Sequence, residues 1–213
     1  MVNMKKLLIL FAALTAAVSS FGADYTTGVS FSYDGASFDA QAWTATTESV
    51  NEETTVTEYL SPDGKLKLIL STRTYPDFPV VETRPYLECV SSDSTAIVED
   101  FLSLSLARDH SSRGVKVRRI TGSMTKYTDF THHDVLLQGR HECDYVSMSS
   151  CEGRSNAWLP YFGVDFDSFH GIEVAIGWTG TWRAEMRYAD RLYVNAGIGE
   201  KTRFRMAPGE RFM

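Results

Sequence analysis

The residues that could do chemistry come first. The chain has five histidines and three cysteines. His132, His133 and Asp134 are adjacent, and His141 stands two residues before Cys143. Residues two apart on a strand share a face, so His141 and Cys143 can reach one ion, whereas His132 and His133 point to opposite faces. No second pair has ligand spacing, so surface histidines are the better account and no metal site is expected. A nucleophile has equally little support. There is no Gly-x-Ser-x-Gly elbow, no signature around a cysteine and no glycine-rich phosphate loop before a helix. Carboxylates do pair along the chain, as Asp165 with Asp167 and Glu52 with Glu53. Retaining glycoside hydrolysis needs two carboxylates about 5–5.5 Å apart around a sugar, which chain neighbours do not establish. Solvated surface acids explain them more simply. No catalytic residue and no cofactor is expected.

Aromatic rings offer a second kind of chemistry, because the apolar C–H face of a pyranose stacks on an exposed ring. The densest stretch holds Trp158, Tyr161, Phe162, Phe166, Phe169, Trp178 and Trp182. Alternation places Trp178 with Ile172, Val174 and Ile176, and Trp182 with Met186, so both are expected in a core. Trp158 lies in the loop-like stretch Arg154-Ser155-Asn156-Ala157-Trp158-Leu159-Pro160 and is the better contact candidate, together with Arg154 and Asn156. Trp43, beside Ala42 and Thr44, fits either a core or a surface.

The elements that must position these residues read as strands. Leu66, Leu68 and Leu70 alternate with Lys65, Lys67 and Ile69, Leu102, Leu104 and Leu106 with Ser103 and Ser105, and Val115 and Val117 with Lys116 and Arg118. A period of two marks half-buried strands. The run Ile172–Trp178, the pair Thr179-Gly180 and the run Trp182–Tyr188 predict a β-hairpin. Ser61-Pro62-Asp63-Gly64 predicts a turn, and Pro208-Gly209 suits the centre of a type II turn. Tyr75-Pro76-Asp77-Phe78-Pro79 predicts an extended, irregular lead into a strand over Val80–Leu87. No sustained helical period follows the first residues, so one all-β sandwich domain over residues 24–213 is the expectation.

Net charge is −6, with 21 basic against 27 acidic residues and no basic cluster, which argues against a nucleic-acid partner. Lys5 and Lys6, the apolar run Leu7–Val18 and the small residues Ser19, Ser20, Gly22 and Ala23 have the order of a secretory signal peptide over residues 1–23. The run is well short of the ~20 residues that span a bilayer, so no membrane association is expected after cleavage. A secreted or periplasmic location follows. Export permits disulfides; Cys143 and Cys151 are close enough to close a loop, but three free thiols account for the cysteines as well.

Three segments together resemble the N-terminal domain of the glycoside hydrolase family 36 α-galactosidases. They are Tyr75–Glu82, with its Pro-Asp-Phe-Pro-Val core; Gly153–Phe162 with Gly171–Trp182; and Pro208-Gly209-Glu210. The middle one carries the Gly-Arg-Ser-x-Asn pattern and a Gly-Trp-Thr-Gly element. Val90–Ser94 stands where the family has an Asn-x-Gly turn, and Cys151-Glu152 where an Arg-rich pair is common. The resemblance implies a β-supersandwich of the galactose-mutarotase type that packs on a (β/α)₈ barrel and supports oligomer contacts. It places both catalytic aspartates on barrel strands that would follow Met213. It therefore carries no catalytic residue onto this chain, and α-galactosides would be reached only through that barrel. It also implies a homo-oligomer. Two other readings stand beside it: a carbohydrate-binding sandwich using Trp43 or Trp158, and an aldose-epimerase-like enzyme, for which His170 and Glu173 are the nearest pair.

Overall fold

A computed structural model describes residues 25–109, 114–138, 144–151, 153–167, 170–177 and 180–213. The expected signal peptide, His141, Cys143, Phe169 and Trp178 lie outside these residues. Every regular element among the described residues is a strand. In chain order the first are β1 (Tyr25–Tyr33), β2 (Ala36–Ser37), β3 (Thr44–Ser49), β4 (Thr54–Leu60), β5 (Leu66–Tyr75) and β6 (Val80–Cys89). Next come β7 (Val98–Arg108), β8 (Val115–Thr121), β9 (His132–Leu137), β10 (Tyr145–Ser149) and β11 (Trp158–Asp165). The last are β12 (Gly171–Ala175), β13 (Trp182–Tyr188), β14 (Leu192–Ile198), β15 (Arg203–Phe204) and β16 (Arg211–Phe212). The chain divides into two compact units.

One unit comprises residues 32–98 and 204–213. Its antiparallel sheet runs β16-β6-β5-β4-β3. The expected turn at Ser61–Gly64 joins β4 to β5: Gly64 takes the left-handed φ of 71°, and Ser61 Oγ accepts from Leu66 N at 2.9 Å. Pro208 and Gly209 fill a turn closed by Glu210 N donating to Ala207 O at 3.0 Å, with Gly209 at φ 75°. Tyr75–Val80 is no extended lead-in but a tight hairpin turn, with Phe78 N donating to Tyr75 O at 3.1 Å and Tyr75 paired with Val80. The two prolines fix φ on either side of Phe78 and remove two donors, which suits a turn apex as well as an extended run. Leu66, Leu68, Leu87 and Cys89 are buried in this unit. Trp43 is buried too, edge-on to Tyr33 at 5.7 Å and Phe38 at 5.1 Å. Tyr33 donates to Asp63 Oδ2 at 2.8 Å and accepts from Ala96 N at 3.1 Å, and burial pushes its phenol up to about 12.

The other unit comprises residues 25–31 and 99–203. It is a sandwich: the sheet β10-β13-β14-β7 and its β1 neighbour face the four-stranded sheet β12-β11-β8-β9. Val117, Phe162 and Val164 from the smaller sheet meet Trp182, Ala184, Met186 and Val194 from the larger in one core. The chain is thus an all-β sandwich, as its alternation predicts.

The hairpin expected from Ile172 to Tyr188 does not form. β12 pairs with β11, whereas β13 pairs with β10 and β14 in the opposite sheet. Both strands send alternate residues into the same core, but from opposite layers. Periodicity reports which face is buried, not which sheet supplies it.

Candidate functional site

On the solvent face of the smaller sheet, Arg118 in β8, Gly163 in β11 and Glu173 in β12 are register partners across three strands. With no side chain at residue 163, the Arg118 guanidinium crosses the middle strand and donates to Glu173 Oε1. Its Nε also donates to both oxygens of Asp165, at 3.0 and 2.9 Å. Lys116 Nζ stands 3.3 Å from Asp165 and 3.6 Å from Asp134. Burial opposes ionisation of Asp165, yet the hydrogen bonds from Arg118 and Lys116 outweigh it and hold its carboxyl below the usual range. The same bonds to Asp165 and Glu173 raise the Arg118 guanidinium further above its ordinary value. These groups line an open depression of about 660 Å³ whose rim includes Asp167 and His170. His170 Nδ1 sits 2.9 Å from Asp167.

The acids singled out in the sequence have the following partners. Asp165 is matched by Arg118 and Lys116, Asp167 by His170, and Glu53 by Arg73 at 3.0 Å. A retaining glycosidase needs one free nucleophilic carboxylate and one protonated partner facing a sugar. Here Asp165, Glu173 and Glu53 each face an arginine or lysine instead. His170 and Glu173 do border one depression, but Asp167 holds the imidazole and Arg118 holds the carboxylate.

The segment containing Arg154, Asn156 and Trp158 is built differently. Cys151 and Arg154 exchange backbone hydrogen bonds of 2.8 and 2.9 Å around Gly153, whose φ is 73°. Cys151 carries a free, exposed thiol. Ser155 Oγ accepts the Trp182 indole N–H at 3.1 Å, tying the segment to a side chain only 1% exposed. Arg154 is exposed, whereas Asn156 and Trp158 are half-buried. Trp158 opens β11 rather than lying in a loop, and it packs against the core. The Arg119 guanidinium covers its ring at 4.0 Å from the centroid, and His133 meets it edge-on at 5.4 Å. Burial lowers the Arg119 guanidinium from its ordinary value. Arg119 Nη1 donates to Ser147 O at 3.0 Å, while its Nε and Asn156 Oδ1 are buried without a hydrogen-bond partner. That leaves one unmet donor and one unmet acceptor in this region of the unit.

The rings that do face solvent, Tyr161 apart, lie outside the aromatic stretch singled out in the sequence. Tyr127 is fully exposed and Phe130 is 59% exposed, both in the β8–β9 connection. Tyr145 and Tyr161 are also exposed. The readable signal is the run Ser123–Thr131, rich in Ser, Thr and Asp, where apolar alternation stops. Among the described residues no cluster of three metal-ligating side chains forms.

No protein-family model matches the chain, and no curated protein matches it. Solved structures do. The α-galactosidase AgaA of family GH36 from Geobacillus stearothermophilus is similar with a TM-score of 0.63 at 12% identity, over 87% of this chain and 28% of that one. The α-galactosidase from Lactobacillus brevis gives 0.61 at 14% identity, over 88% and 25%. The galactosidase domain of the α-galactosidase–sucrose kinase AgaSK gives 0.59 at 12% identity, over 88% and 26%. The chain spans about a quarter of the length of each. At this identity the likeness is one of fold: these strands are arranged as they are in part of the GH36 α-galactosidases.

Proposed function

We propose that this chain is the N-terminal, non-catalytic β-sandwich domain of an exported α-galactosidase-like glycoside hydrolase, one that packs on a catalytic barrel and supports self-association. The observation that carries the reading is coverage: most of this chain superposes on about a quarter of each α-galactosidase. The resemblance of Gly153–Phe162 to the family pattern adds to it. The paired state of Asp165, Asp167 and Glu173 agrees with a domain that leaves bond cleavage to other residues. α-Galactosides, such as the stachyose and raffinose bound by AgaA variants, are on this reading reached through the barrel.

The exposed Arg154 marks the surface assigned to the barrel. The test is complementation. A separately produced α-galactosidase barrel should gain turnover of an aryl α-galactoside when this chain is added, and Arg154→Ala should weaken the gain. Failure of the pair to associate at any concentration would count against the reading. Export is tested by terminal sequencing of the secreted chain, expected to start between Phe21 and Tyr25; an intact Met1 would oppose it.

A carbohydrate-binding module resting on Trp43 or Trp158 finds less support. Trp43 is buried, and Trp158 is covered by Arg119.

A further inference from the structure

The solvent face of the sheet β12-β11-β8-β9 is ordered in rows. Leu136, Lys116, Asp165 and Gly171 are successive register partners across the strands, and so are Asp134, Arg118, Gly163 and Glu173. Tyr161, paired with Ala175, stands one step beyond Gly163 on the same face. Leu136 and Tyr161 are 56% and 45% exposed. Between them lie two strand spacings and four residues of β11, about 10 Å by about 14 Å. The depression of about 660 Å³ occupies the Leu136 end of this face.

The polar groups of the second row are held but not used up. Arg118 Nε is committed to both oxygens of Asp165, and Nη2 to Glu173 Oε1. Arg118 Nη1 and Glu173 Oε2 make no hydrogen bond among the described residues, and their side chains are 43% and 66% exposed. A donor and an acceptor therefore stand side by side, with the guanidinium fixed over Gly163 by two carboxylates. A group held in this way loses little freedom when a ligand arrives.

Charge and pairing decide what fits. Lys116 and Arg118 share the face with Asp134, Asp165 and Glu173, while Asp167 holds His170 at the rim. A bare anion would meet those carboxylates, and a bare cation would meet Lys116 and Arg118. A neutral ligand meets neither penalty. Each hydroxyl both donates and accepts, so two neighbouring hydroxyls can take Arg118 Nη1 and Glu173 Oε2 together. The exposed Leu136 and Tyr161 then favour a ring with apolar C–H faces. A pyranose meets both demands.

We propose that this face binds a neutral oligosaccharide, with vicinal hydroxyls of one ring on Arg118 and Glu173 and a neighbouring ring against Tyr161. Binding asks for no free nucleophile, so ion-paired carboxylates serve it. The seat is distinct from Trp43 and Trp158. It needs no barrel, so its failure is separable from failure of barrel docking.

The experiment is nuclear magnetic resonance of amide and arginine side-chain N–H groups on the purified chain. Raffinose and maltotriose are each titrated to about 100 mM, a range suited to millimolar binding, with sodium sulfate in parallel. At least one saccharide should shift the Arg118 Nε–H and the Gly163 and Glu173 amides saturably, and sulfate should not. Tyr161→Ala and Glu173→Ala should each weaken that binding about tenfold, through loss of a ring contact or of a charge-assisted hydrogen bond. Tyr127→Ala removes an exposed ring outside these rows and should leave binding unchanged. Melting temperatures close to that of the wild type will show that the variants fold. No saturable shift from either saccharide would overturn the proposal, as would shifts that survive both Tyr161→Ala and Glu173→Ala. Shifts from sulfate alone would overturn it in favour of an anion site.

Discussion

The guanidinium of Arg118 occupies the space that a side chain at Gly163 would fill: a Cβ there would stand 2.5 Å from Arg118 Nη2. The glycine is what allows one arginine to serve carboxylates on two strands. Gly122 is a harsher case, since its Cβ would stand 2.0 Å from the Ser155 carbonyl oxygen. An arginine tip can swing away, but a backbone carbonyl held by its neighbours cannot. Gly163→Ala is therefore expected to cost under ~1 kcal/mol, the scale of an exposed ion pair. Gly122→Ala should cost about 1–3 kcal/mol or more, as overpacking does. Urea unfolding of the two variants checks the order.

The Trp182–Ser155 hydrogen bond makes a second prediction. Ser155→Ala leaves a buried indole N–H unpaired, a loss of about 1–2 kcal/mol. The same change in a Trp182→Phe background should cost far less, because the donor is already gone. A double-mutant cycle by thermal unfolding measures the coupling, and additive costs would show that the bond contributes nothing.

Asp165 gives the pH dependence. Its folded carboxyl titrates below the unfolded value near ~3.9. The stability it supplies is thus present above that unfolded value and is lost as pH falls through the lower folded one. The Asp165 and Arg118 side chains are 23% and 43% exposed, so solvent screens the pair. Melting temperatures of wild type and Asp165→Asn should differ modestly at pH 6 and converge in acid, with the gap narrowing in molar salt.

Much of this architecture was legible in the chain. Val115 and Val117 are buried with Lys116 exposed between them, as period two requires. Ser61–Gly64 and Pro208-Gly209 turn where their residues say, because φ preferences are local properties. The mispaired element is β12 with β13. Thr179-Gly180 has hairpin chemistry and both flanks alternate, yet sheet membership depends on long-range partners such as Phe162 for Val174 and Val194 for Met186. Trp158 was legible as special but not as half-buried, since its cover is Arg119, a distant residue with no local signature. Tyr127 sits in a polar run, and only the folded loop shows that it stands free.

On the proposed reading this chain has no glycosidase chemistry of its own. The direct measurement is release of nitrophenol from an aryl α-galactoside by purified residues 24–213, against buffer. The expected result is no turnover above background, because Asp165 and Glu173 are each engaged by the Arg118 cation. Clear hydrolysis by the isolated chain, abolished by changing one of its own Asp or Glu residues, would contradict the account.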